Sequence, residues 1–214
     1  MLNIDSIFFD VDGTLLDARQ DIVNAANYAL RQMNLPEKTF DEIVSYVGTG
    51  VSDLVGKSIG KKDDSLVRRG VELYSDYYVK HPADNAKLYP NAKEILGYFK
   101  DKQKFILTNR YSKFADVVLR SLGIREYFKE IVGGDDENCI KPSACVLDPV
   151  ISRFAIEKSK AIIVGDMTVD IMTGNNSGIK TCWIRHGLGK AEEVEPLKPS
   201  FVIDDLLELK KIIR

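Results

Sequence analysis

Two carboxylates, Asp10 and Asp12, stand one residue apart where the apolar run of "FFDVDGTLLD" ends, and Gly13 follows them. Two more, Asp166 and Asp170, lie in "GDMTVD", directly after the apolar run "AIIVG". Carboxylates held this close repel one another unless they share a cation. An oxygen-only donor set suits a hard ion such as Mg²⁺, and no histidine or cysteine cluster of the zinc-binding kind accompanies it. Thr108 and Asn109 close the run "KFILTN", and Lys141 follows "EIVGG" after a loop. A lysine and a hydroxyl are what the oxygens of a phosphoryl group need, and Gly13 lets backbone approach a ligand closely. The chemistry this set suggests is phosphoryl transfer.

These residues must be brought together by the elements that precede them. "IDSIFF", "KFILT", "EIVGG", "AIIVG", "KTCWI" and "FVI" are short apolar runs of the buried-strand type. "NAKEILGYFKDK", "YSKFADVVLRSLG" and "DDLLELKKIIR" space apolar residues three or four apart, which makes one helical face. Alternation of strand and helix predicts an α/β fold, a doubly wound, Rossmann-like parallel sheet covered on both faces. In such a sheet ligands bind beyond the carboxyl ends of the strands, so four strand ends converge on one pocket.

About ninety residues between the first strand and "KFILT" carry helical periodicity and no convincing strand, too many for a simple crossover. "ARQDIVNAANYALRQMN", "FDEIVSYVG", "VSDLVGKSIG" and "DDSLVRRGVELYSDYYVKH" read as four helices of a domain inserted at residues 16–85, with the α/β core formed by 1–15 and 86–214. His81-Pro82 and Pro90 mark the return to the sheet. Gly48 and Gly50 permit a tight turn, and Ser52 is expected to cap a helix whose N-terminal amides attract an anion. The aromatic residues of "YSDYY" are read as a packing face. His81 and His186 are read as surface or loop residues.

The 214 residues, 44% hydrophobic and 29% charged, exclude a disordered or fibrous chain. With 30 basic against 32 acidic side chains, net charge −2, nothing draws the whole chain to nucleic acid or to an anionic membrane. Cys139, Cys145 and Cys182 form no CxxC pair and are expected to be reduced, buried thiols. The N-terminal residues lack the pattern of a leader peptide, and no run of about 18 apolar residues occurs, so the expected location is cytoplasmic.

In order along the chain, "DVDGT", Thr108 of "ILTN", Lys141 with Pro142, and "GDMTVD" resemble the four motifs of the haloacid dehalogenase-like superfamily of phosphatases. The helical insertion after the first motif is similar to that family's C1 cap, and "YVGTGVSDLVGKSIG" resembles the cap loop of its phosphoglycolate phosphatases. The resemblance implies Asp10 as the nucleophile and Asp12 as general acid and base. Mg²⁺ would be held by the Asp10 carboxylate, the Asp12 backbone carbonyl and Asp166, with Asp170 as a ligand or a support. Lys141 and Thr108 would hold the phosphate. Gly13, Asn109, Arg110, Gly48 and Gly50 are the candidate substrate-binding positions. The second aspartate, Asp12, sets the chain apart from the true dehalogenases.

The implied activity is hydrolysis of a small phosphorylated metabolite by a monomer or homodimer. A phosphomutase, a pyrophosphatase and a non-catalytic phosphate-binding protein are the alternatives. Arg110 departs from the lysine the family often has after "TN", where it would contact substrate or reach solvent. Pro149 interrupts the helix expected after Lys141; Asp148 as its cap and Pro149 as its first residue would start that helix late.

Overall fold

The computed structural model describes residues 1–60 and 63–214. In chain order the elements are β1 (Ser6–Phe9), β2 (Leu16–Asp17), α1 (Arg19–Gln32), α2 (Phe40–Val44), α3 (Val51–Ile59), α4 (Asp64–Tyr78), β3 (Lys87–Leu88), α5 (Ala92–Tyr98), β4 (Gln103–Leu107), α6 (Ser112–Ser121), β5 (Glu130–Val132), α7 (Asp148–Arg153), β6 (Ala161–Gly165), α8 (Thr168–Ser177), β7 (Lys180–Ile184), α9 (Ala191–Val194), β8 (Phe201–Ile203) and α10 (Leu209–Ile212).

Six strands form one parallel sheet in the order β5-β4-β1-β6-β7-β8. Side chains alternate across a strand, and the buried residues divide accordingly. Ile7, Phe9, Ile106, Ile162 and Val164 face a core completed by Ile95, Leu96, Val118 and Leu119 of α5 and α6. Phe8, Phe105, Leu107 and Ile163 face the opposite core, with Leu147 and Val150 at α7. Both faces are covered, which is why these strands read as unbroken apolar runs rather than alternating ones.

The six sheet strands match the six apolar runs, and the four cap helices match the four periodic stretches. A second, two-stranded ribbon, β2–β3, has no counterpart among the apolar runs. Leu16 pairs with Leu88 and Asp17 with Lys87, antiparallel, where the chain leaves the core and returns to it. Two-residue strands give no periodicity to read. The buried Asp21 of α1 reinforces the crossing: its carboxylate accepts from the backbone N–H of Asn85 (3.0 Å) and of Ala86 (2.8 Å). Inside the cap, Ile22, Ala26 and Leu30 of α1 pack with Leu54 and Val55 of α3 and Leu73 and Tyr74 of α4. The core helix α6 contributes Phe114 to the same cluster, so cap and core share apolar contact.

Two expected caps shift. Gly50, at φ 103°, precedes α3, so Ser52 lies inside the helix and caps nothing. Leu147 precedes α7, with Asp148 and Pro149 as its first two residues; the late start expected from Pro149 is otherwise as found.

Candidate active site

β1, β4 and β6 are neighbours in the sheet, and their carboxyl ends open into one cleft. Asp10 and Asp12 reach it from β1, Thr108, Asn109 and Arg110 from β4, and Asp170 from the first turn of α8 after β6. Lys141 enters from the loop after β5. The opposite wall belongs to the cap: Ile22 of α1, Val51 and Leu54 of α3, Tyr74 of α4, and the loop residues Val47, Gly48 and Gly50. The cleft between the two walls is partly open to solvent.

One carboxylate oxygen from each of Asp10, Asp166 and Asp170 lies within 4.8 Å of the others, and all three residues are buried. Lys141 Nζ donates to Asp10 Oδ1 and to Asp170 Oδ1, each at 2.6 Å. Burial by itself would lower the Lys141 pKa; the two carboxylates outweigh it and raise it, so the ammonium stays charged. Burial pushes Asp10 well above the ordinary carboxylate range, Lys141 opposes this, and Asp170 and Asp166 add to it. Asp166 is pushed up to about 7, by burial and then by Asp170. Three buried carboxylates thus face one ammonium, and all the donors are oxygens. This is a set that could hold a divalent metal ion.

With pKa values raised above those of the unfolded chain, the folded protein binds more protons than the unfolded one between about pH 4 and 7, and its stability falls as pH rises through that window. A divalent cation bound at this cluster would take the place of those protons. Added Mg²⁺ is therefore expected to raise the melting temperature clearly near about pH 8 and little near about pH 5. Thermal melts at the two pH values check this; equal shifts would count against the cluster as the metal site.

The carboxylates are held from behind. Asp166 accepts from Thr14 Oγ1 (2.9 Å) and from the Leu188 N–H (2.6 Å), while its own carbonyl accepts from Trp183 Nε1 (2.9 Å). Asp170 accepts from the Met167 N–H (2.9 Å), so it serves α8 as a first-turn acid while it meets Lys141. At Gly13, φ is 88° and a Cβ would run into the Asp166 carboxylate, so both the turn and the close approach require glycine. Asn109 Oδ1 accepts from the Lys141 N–H (2.8 Å), and its Nδ2 donates to the carbonyls of Lys141 (2.9 Å) and Gly48 (2.8 Å). Asn109 lines the cleft, but its amide is committed to tying the lysine loop to the cap.

The Asp12 side chain stands apart from the metal-type cluster. Arg110, buried, donates through Nε (3.0 Å) and through its other arm (2.6 Å) to the two Asp12 oxygens. Arg110 does not reach solvent. Its third nitrogen donates to the hydroxyl of Tyr78, whose ring lies 4.8 Å beneath the guanidinium. The "YSDYY" stretch is thus more than packing: Tyr78 bonds Arg110 and Tyr74 lines the cleft. Nothing in the spacing of those tyrosines could have told the two uses apart.

The expectation of reduced thiols fails for two of the three cysteines. Cys139 and Cys145 form a disulfide, Cα to Cα 5.8 Å, around the loop that carries Lys141 and the cis Lys141–Pro142 bond. A spacing of six residues does not announce a pair, and only the fold of this loop brings the two together. Cys182 is free and buried, as expected. His81 pairs with Asp84, and His186 stacks on Tyr89 with its ring nitrogen at the Thr14 carbonyl; neither lines the cleft.

A doubly wound sheet with aspartates at the ends of its central strands, a buried lysine among them and a helical cap above defines a hydrolase built for phosphoryl groups. The model of the haloacid dehalogenase-like hydrolase family matches residues 7–184, and the chain belongs to that family. It is 30% identical over 220 residues to a phosphoglycolate phosphatase of Vibrio parahaemolyticus, covering 99% of this chain and 96% of the relative. A phosphoglycolate phosphatase of Vibrio vulnificus is 31% identical over 216 residues, 97% of this chain and 95% of the relative. A crystal structure of a predicted phosphoglycolate phosphatase from Haemophilus somnus superposes with a TM-score of 0.89, at 26% identity and 99% coverage of both chains. The chain is a phosphoric monoester hydrolase that resembles phosphoglycolate phosphatases. Among the described residues no helix is long and apolar enough to cross a membrane.

Proposed function

We propose that the protein hydrolyses a small phosphomonoester of the phosphoglycolate type, with Mg²⁺, through an aspartyl-phosphate on Asp10. The observation that carries this reading is Lys141, buried and bonded to Asp10, in a cleft whose far wall is the cap. Asp10, Asp166 and Asp170, with the Asp12 carbonyl, would hold the ion, which when bound offsets the charge of the phosphoryl oxygens.

In the first step an Asp10 oxygen attacks phosphorus as the bond from phosphorus to the ester oxygen breaks, and the Asp12 carboxyl gives that oxygen its proton. In the second, the Asp12 carboxylate takes a proton from a water whose oxygen attacks phosphorus, and the bond to Asp10 breaks. Lys141 and Thr108 hold the phosphoryl oxygens in both steps. The cap, residues 16–85, closes over the substrate and reopens for product, with the β2–β3 ribbon as its hinge.

The test is phosphate release from a panel of phosphorylated metabolites, phosphoglycolate and pyrophosphate included, with and without Mg²⁺. Release that needs the metal and favours a small monoester is the expected result. A preference for pyrophosphate, sugar phosphate isomerisation with little free phosphate, or no turnover would each point instead to the pyrophosphatase, mutase or binding reading.

A further inference from the structure

We propose that Arg110 is shared between Asp12 and a second anionic group of the substrate: it parks Asp12 until a carboxylate at the far end of the phosphomonoester takes its place. The inference rests on the reading above and assigns a specificity determinant within it.

In the structure Arg110 engages both oxygens of Asp12, and the two side chains are only 6% and 15% exposed. The guanidinium occupies the face that both Asp12 oxygens present and leaves only the outer lone pair of each, so Asp12 is better placed to move protons once it is released. Breaking a buried pair without replacement is strongly unfavourable, because it strands a charge away from water. Exchange of one carboxylate for another avoids that cost: Arg110 keeps a planar, bidentate partner while Asp12 is freed.

The surroundings direct an incoming anion to Arg110. Among the described residues that line the cleft, the cationic side chains are Lys141 and Arg110, and Lys141 is taken up by Asp10 and Asp170. The cap wall offers Ile22, Val47, Val51 and Leu54, which have no donors in their side chains. The start of α3 is already acidic: Asp53 bonds the Thr49 hydroxyl there, and Ser52 is bonded to Glu137. An anion drawn to that helix end would meet carboxylates. Arg110 is also fixed from the cap side, since its remaining nitrogen donates to Tyr78 of α4. Three of the five N–H donors of a guanidinium are used in these contacts.

A substrate that frees Asp12 gains in kcat as well as in KM, because the interaction changes the group that acts in the transition state. The experiment compares phosphoglycolate with ethyl phosphate, which lacks the carboxylate, in wild type, Arg110→Gln, Arg110→Lys and Tyr78→Phe, each checked by thermal melting. Wild type is expected to turn over phosphoglycolate with the higher kcat. Arg110→Gln should lower kcat/KM for phosphoglycolate about a hundredfold more than for ethyl phosphate. Arg110→Lys, which keeps the charge and loses the fork, should recover part of the difference, and Tyr78→Phe should narrow it less than Arg110→Gln does.

Equal losses on the two esters in both Arg110 variants would overturn the proposal, since Arg110 would then merely shape the site. So would a wild type whose kcat is indifferent to the carboxylate, and that result leaves the phosphatase reading standing. If wild type releases phosphate from neither ester, the preceding reading of the substrate fails, and this proposal fails with it.

Discussion

Asp10→Asn is expected to abolish turnover, by about 10⁴-fold or more, while leaving the fold at least as stable as before. The amide has nearly the shape of the carboxylate but is no nucleophile toward phosphorus. Its effect on stability runs the opposite way from its effect on activity. Burial, then Asp170 and Asp166, hold the Asp10 pKa well above its unfolded value against the pull of Lys141. A carboxylate in that position costs stability as pH rises through the window between its unfolded and folded pKa values. Removing the charge removes that cost, and Lys141 keeps Asp170 as its partner at 2.6 Å. Phosphate release and thermal melts without metal near about pH 8 check the two halves separately. Full Mg²⁺-dependent activity in the variant would sink the assignment of the nucleophile.

Lys141→Met fails on both counts. The side chain is 3% exposed and bonded to two carboxylates that are themselves buried. Removing it leaves Asp10, Asp166 and Asp170 with no ammonium among them, a change that costs about 3–5 kcal/mol when a buried pair is broken from one side. The loss should be largest near about pH 8 and shrink near about pH 5, where Asp166 takes up a proton. Mg²⁺ should recover part of the stability but not the activity, because the contact proposed for Lys141 with the phosphoryl oxygens would be lost; the expected drop in kcat is about 10³-fold. Melts at both pH values, with and without metal, read the first effect and phosphate release the second. A variant that melts like wild type at high pH would show that Lys141 does not balance the cluster.

The sheet strands and the carboxylates at their ends were legible in the residues because both depend on local order. A strand buried on both faces must be apolar throughout, and the polar residue that follows it falls at the strand's end, where a parallel sheet places its ligands. The cap helices were legible for a similar reason, since a helix that packs on its neighbours repeats its apolar face every three or four residues. From these the sequence by itself determined the doubly wound core, the helical insertion, and the meeting of Asp10, Thr108, Lys141, Asp166 and Asp170 at one crevice.

It did not determine what the side chains between these elements do once they meet. Asp12 and Arg110 are 98 positions apart, Arg110 and Tyr78 are 32 apart, and Asp21 and Ala86 are 65 apart. A pairing at such a separation leaves no period in the chain. It depends on side-chain directions set by how α4 and α1 sit on the core, which is a property of packing. Asn109 reads as a polar residue at a strand end, whether it binds substrate or, as the fold has it, clamps Lys141. Cys139 and Cys145 read as isolated thiols until the turn around Lys141 closes between them. Local periodicity therefore named the elements and the polar residues at their ends, whereas the tertiary structure alone decided which partners hold those residues, because long-range contacts are fixed by packing and not by spacing.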